Sequence, residues 1–151
     1  MTYKYVVKYR RLPVEEVTVE AWPSDPRLAL EGEVRKPSFS IGRLDGPRTF
    51  LLMSTVHDLA KRFGYRRYGQ VTHVRIPNND VSGVADAYRV GLAAAALSLI
   101  PSEESAENAY RYIMRATEEE IWFWASKYLG VVGDGIKVEK VVEALCVIST
   151  S

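Results

Sequence analysis

The stretch from Asn79 to Gly130 constrains this chain more than any other. Val84, Tyr88, Leu92, Ala95 and Leu99 recur at steps of four or three, so on a helix they share one face. Ala106, Ala109, Ile113, Thr117, Ile121, Trp124 and Tyr128 repeat the pattern. The spacing predicts two long helices broken once, at Pro101, where the ring removes a donor and stops the first helix. Ser102 followed by Glu103 and Glu104 restarts helix with acids where the dipole favours them. So short a connection folds the helices back on each other with their apolar stripes facing. Gly91 and the run Ala93 to Ala96 carry little bulk, which predicts a central helix covered on more than one side. Asn79, Asp80 or Ser82 can cap it.

Upstream, the period changes from helical to two. Tyr3, Tyr5, Val7 and Tyr9 alternate with Lys4, Val6, Lys8 and Arg10, and after Leu12-Pro13 the residues Val17, Val19 and Ala21 alternate with Glu16, Thr18 and Glu20. These read as a hairpin with one buried and one wet face, lysines on one strand opposing glutamates on the other. Prolines and glycines from 23 to 47 mark a long irregular connection with a short strand near Phe39 and Ile41. A helix follows from Asp45-Gly46-Pro47 with the stripe Leu52, Val56, Leu59 and Phe63; Gly64 closes it behind Lys61 and Arg62. Val71 to Ile76 reads as a strand, and Val138, Val141, Val142 and Leu145 as a short last helix. The expected fold is α+β. A small antiparallel sheet, the N-terminal hairpin plus a strand near residue 73, packs on a bundle of three long helices and a short C-terminal helix. Residues 1–151 form a single domain in this reading.

Composition excludes several classes. At 151 residues the chain can bury roughly two thirds of its unfolded surface. With 47% apolar and 26% charged residues it is too apolar for disorder, and a formal charge of +1 selects no partner. One cysteine, Cys146, set among Leu145, Val147 and Ile148, reads as a small buried hydrophobe and cannot form an internal disulfide or a multi-cysteine zinc site. No stretch resembles a signal peptide or a membrane span, so a cytoplasmic, membrane-free protein is expected. Scarce Asn and Gln, with Glu well above Asp, lean towards a thermophile.

The leading functional candidate is the segment Lys61-Arg62-Phe63-Gly64-Tyr65-Arg66-Arg67-Tyr68-Gly69, joined by Arg75. Residues 61–75 hold five cations and no acid. Guanidiniums neutralise phosphates and release counterions, while tyrosine and arginine planes stack on bases, so the mixture suits RNA or single-stranded DNA. Lys61, Arg62, Tyr65, Arg66, Arg67, Tyr68 and Arg75 are the expected contacts. The competing reading is a solvated helix end with the rings packed beneath the sheet. No RRM, KH, zinc-finger or cold-shock pattern is present.

Acids gather on the second long helix, at Glu103, Glu104, Glu107 and Glu118 to Glu120. They form either a wet face or a surface that docks the basic turn of another copy in a heterologous contact. Trp122, Phe123 and Trp124 span some 200° of a helix, so they cannot all join one stripe. With Trp124 inward, Trp122 or Phe123 turns to a flank that meets the hairpin or a protein partner. Trp122, Phe123, Glu118 and Glu119 are the interface candidates.

Catalytic signals are thin. His57 and Asp58 are adjacent on a helix and diverge by about 100°. His73 shares a strand face with Val71 and Arg75, and two histidines without ligand spacing make a weak metal site. Gly130-Val131-Val132-Gly133-Asp134-Gly135 lacks the Lys-Ser/Thr of a P-loop. The sequence therefore points to a non-catalytic nucleic-acid-binding accessory subunit of a larger protein or ribonucleoprotein assembly, with no cofactor and no metal. A self-associating scaffold module comes second, and a small hydrolase or metal enzyme using His57 or His73 third.

Overall fold

The computed structural model describes residues 3–11, 15–23, 38–40, 46–129 and 144. Five strands, β1 (Tyr3–Arg10), β2 (Glu16–Pro23), β3 (Ser38–Ser40), β4 (Arg66–Tyr68) and β5 (Val71–Pro77), form one sheet in the order β3-β2-β1-β5-β4. Every pairing is antiparallel. Among the described residues four helices, α1 (Gly46–Phe63), α2 (Val81–Leu99), α3 (Glu103–Arg115) and α4 (Glu118–Leu129), complete the α+β architecture.

The expected hairpin is present, with Tyr9 opposite Val17 and Val7 opposite Val19. β5 joins the other side of β1, placing Val74 opposite Val7 and Thr72 opposite Tyr9. Alternation then collects Val7, Val17, Val19, Val74 and Ile76 on one fully buried face, against which α2 packs. The opposite face is less wet than the alternation implies. Val6, Thr18 and Glu20 are buried there, and Lys8 reaches diagonally to the Glu20 carboxylate at 2.9 Å. Arg10 pairs directly with Glu16, as the cross-strand pattern predicts.

α2 is the organising helix. It contacts the other three helices and the sheet, and Val90 to Leu97 are buried without a break. Asp80 caps it, accepting a hydrogen bond from Gly83 N at 2.8 Å. Its C-terminal carbonyls are met from outside. Arg48 of α1 donates to the carbonyls of Leu97 and Ile100, both at 2.9 Å, and of Pro101 at 3.0 Å. Arg89 of α2 caps α3 in the same manner through the carbonyl of Ile113.

The second long helix of the sequence reading is two helices. α3 ends at Arg115 with Ala116 as its C-cap, and Thr117, expected on the core stripe, is exposed. The Thr117 hydroxyl accepts from the Glu120 N–H at 3.2 Å, while the Glu120 carboxylate accepts from the Thr117 N–H at 3.3 Å and from its hydroxyl at 3.1 Å. This is a capping box that starts α4, and it satisfies donors that a straight helix would have satisfied internally. These hydrogen bonds, together with one from the Tyr112 hydroxyl, hold the Glu120 carboxyl below the usual glutamate range.

Across the break the stripe resumes at Ile121 and Trp124, both buried, and Trp124 Nε1 donates to the Tyr112 hydroxyl at 3.2 Å. A ladder of rings runs from the sheet to α4. Tyr5 meets Tyr88 edge-on at 5.7 Å, and Tyr88 meets Trp122 at the same distance. The remainder of the long connection, the turn at 130–135, Cys146 and the expected last helix lie outside the described residues, apart from a helical residue at Ala144.

Candidate nucleic-acid interface

The basic segment does not form an irregular turn. Gly64 closes α1 with a φ of 77°, its N–H bonded to the Ala60 carbonyl at 2.7 Å. The chain then enters β4, crosses the two-residue turn Gly69-Gln70, and returns as β5, with Tyr68 opposite Val71 and Arg66 opposite His73. Gly69 has a φ of 62° and Gln70 does not enter the left-handed region, the pattern of a tight hairpin turn with glycine at its first position. β4 is the edge of the sheet, and Arg66, Arg67 and Tyr68 are all exposed.

The strand period divides these side chains between two faces. Arg66 and Tyr68 share a face with His73 and Arg75, while Arg67 shares the other with Thr72. The Arg75 guanidinium donates to the Tyr68 hydroxyl at 3.1 Å, and the Tyr68 ring lies 4.6 Å from the His73 imidazole. Burial, with Lys8 and Arg75 adding to it, pushes the His73 pKa down.

Arg62 leaves the group altogether. Its guanidinium bridges Asp86 at 2.7 Å and Asp80 at 3.6 Å, and lies 4.8 Å from the centre of the Phe63 ring. One turn of α1 carries it to the start of α2, where carboxylates of its own chain occupy it. The single positive ledge implied by the sequence is therefore a two-faced tongue without Arg62. Lys61, at the exposed end of α1, and Arg66 and Arg67 have no carboxylate partner among the described residues.

On the Arg67 face, α1 and the ends of β1, β4 and β5 enclose a cleft of about 430 Å³. Tyr9, Met53, Val56 and Ala60 form its floor. Arg11, His57, Tyr65, Arg67, Gln70 and Thr72 form its walls, and no Asp or Glu lines it among the described residues. Beneath the floor, the buried Glu15 carboxylate accepts from the Tyr9 hydroxyl at 2.6 Å and from Thr49 at 2.8 Å. Burial, reinforced by the bond to Glu15, pushes the Tyr9 pKa well above the usual phenol range. Arg11, Gln70 and Thr72 were not legible as site residues, because only the β1–β5 pairing brings residue 11 beside residues 70 to 72.

His57 and His73 do not share a site: His57 lines the cleft, and His73 sits on the opposite face beside Tyr68. Among the described residues no three His, Cys, Asp or Glu side chains group as a metal site, and no helix is long and apolar enough to cross a membrane. Of the interface candidates, Trp122 is half-buried against Tyr88, so its face is already taken. Phe123 is 54% exposed, and Glu118 and Glu119 are exposed beside it. No family model, curated protein or solved structure matches the chain.

Proposed function

We propose that the protein is a non-catalytic accessory subunit that holds the phosphate backbone of RNA or single-stranded DNA on the β4–β5 tongue, within a larger protein or ribonucleoprotein assembly. The observation that carries this reading is the tongue itself, an edge hairpin exposing Arg66, Arg67 and Tyr68, preceded by Tyr65 and followed in β5 by Arg75. Tyr65 and Tyr68 are 59% and 49% exposed, a large area of open ring beside guanidiniums that no described carboxylate neutralises. Cations at this density attract a polyanion, and exposed rings offer stacking to bases of any sequence. Self-association through Phe123, Glu118 and Glu119 has less support, since only one ring of the aromatic trio remains open.

The test is fluorescence anisotropy with labelled single-stranded RNA and DNA at low salt. Binding is expected for the native chain and is expected to disappear on replacing Arg66 and Arg67 with glutamate. No binding by the native chain, or binding that survives the double charge reversal, would overturn the proposal.

A further inference from the structure

We propose that the cleft between α1 and the tongue seats a nucleotide bearing a phosphate monoester, and that in the bound strand this nucleotide is its terminal one. The second half of the statement rests on the nucleic-acid reading above; the first stands on the cleft alone. About 430 Å³ lies within the range of small-ligand sites. Its polar wall is built entirely from donors or donor-acceptors. Arg11 and Arg67 contribute two guanidiniums, and His57, Gln70 and Thr72 add an imidazole, an amide and a hydroxyl. A guanidinium fork matches two phosphate oxygens at once, and two forks around one cleft suit the dianion of a monoester better than the single charge of a diester. The floor of Met53, Val56 and Ala60, with the open ring of Tyr65 at the rim, supplies the apolar surface and π-face that a nucleoside covers.

Phosphate chemistry favours a strand end over a passing strand. A strand carries a phosphate monoester only at its end, because every internal phosphate is a diester, so a cleft lined by Arg11 and Arg67 that prefers the dianion takes the terminal nucleotide. Arg67, in the cleft wall, is flanked in sequence by Arg66 and Tyr68 on the other face. A strand whose last nucleotide sat in the cleft would cross the narrow edge strand and continue onto Arg66, Tyr68 and Arg75.

The experiment compares short single-stranded RNAs that carry either a phosphate or a hydroxyl, at the 5′ end and at the 3′ end in separate pairs, with AMP and inorganic phosphate as competitors. A terminal phosphate at one end is expected to tighten binding about tenfold. AMP should displace that strand well before inorganic phosphate does. Arg67→Gln and Arg11→Gln should each erase the preference for phosphate, whereas Arg66→Gln should weaken phosphorylated and hydroxyl strands alike. Both cleft arginines are exposed, so unchanged thermal unfolding of each variant keeps the comparison free of folding defects. Equal affinity for phosphate and hydroxyl ends in both pairs overturns the inference and leaves the backbone reading standing. If strands fail to bind but AMP binds and is lost in Arg67→Gln, the ligand is a free mononucleotide, and the nucleic-acid reading falls instead. Inorganic phosphate competing as well as AMP would refute the nucleoside part, and no binding of any probe would refute both.

Discussion

Salt dependence separates the arginines that face a polyanion from the one the fold has claimed. Each cation that neutralises a phosphate of a single strand contributes about 0.7 to the slope of log K against log salt. Lys61, Arg66, Arg67 and Arg75 are exposed, and the hydroxyl of Tyr68 is the side-chain partner of Arg75. Acting together they give a slope of about −2.8, which weakens binding about 50-fold between roughly 50 and roughly 200 mM salt. Replacing Arg66 and Arg67 with glutamine should halve the slope to about −1.4 and shrink that salt effect to about 7-fold. Arg62→Gln should leave the slope untouched, because Asp86 and Asp80 already neutralise that guanidinium. The Arg62 side chain is 45% exposed, so losing the bridge should cost no more than ~1 kcal/mol of stability. The assay is an anisotropy titration of one labelled strand across a salt series for the three proteins. A slope that stays at its native value in the double variant, or that falls as far in Arg62→Gln, would refute the assignment of these side chains.

Three further outcomes test the packing behind the site. A Cβ on Gly83 would lie 2.6 Å from the ring tip of Phe63 and 3.0 Å from both Asp80 and Ile76, so Gly83→Ala should destabilise by about 1–2 kcal/mol in urea unfolding despite alanine's better helix propensity. Thr117→Ala removes the cap of α4 and should cost ~0.5–2 kcal/mol by the same measurement. The depressed pKa of His73 makes its neutral form the one the fold prefers. Below the ordinary value of 6.5 the unfolded chain takes up this proton first, so stability should fall as pH drops from 6.5 towards the folded pKa and then level off. His73→Gln should flatten that part of the stability–pH curve.

Wherever the periodicity was local and the residues fell on one face, the chain was readable from its sequence. The alternation of Tyr3 to Arg10, the stripe of α1, the closing Gly64 and the bulk-free centre of α2 each follow from stereochemistry within a few residues. The break between α3 and α4, where the sequence reading expected one continuous helix, carries a local signal in Thr117 and Glu120, which stand at capping-box spacing. A hydrophobic repeat running through them concealed it, because so brief an interruption barely shifts the phase of a helical stripe. The composition of the basic segment was equally plain; its geometry was not. That Arg66 and Arg67 point to opposite faces depends on β4 being a strand, and an exposed run this short has no pattern that says so. That Asp86 takes Arg62, and that Arg11 and His57 join Arg67 around one cleft, depends on β1 pairing with β5 and on α1 packing against α2. Sequence alone thus determined the longer strands and helices and which charges are available. Tertiary contact between distant segments decided which charges remain free and which of them meet, because pairing register and helix packing are set by burial of the whole core.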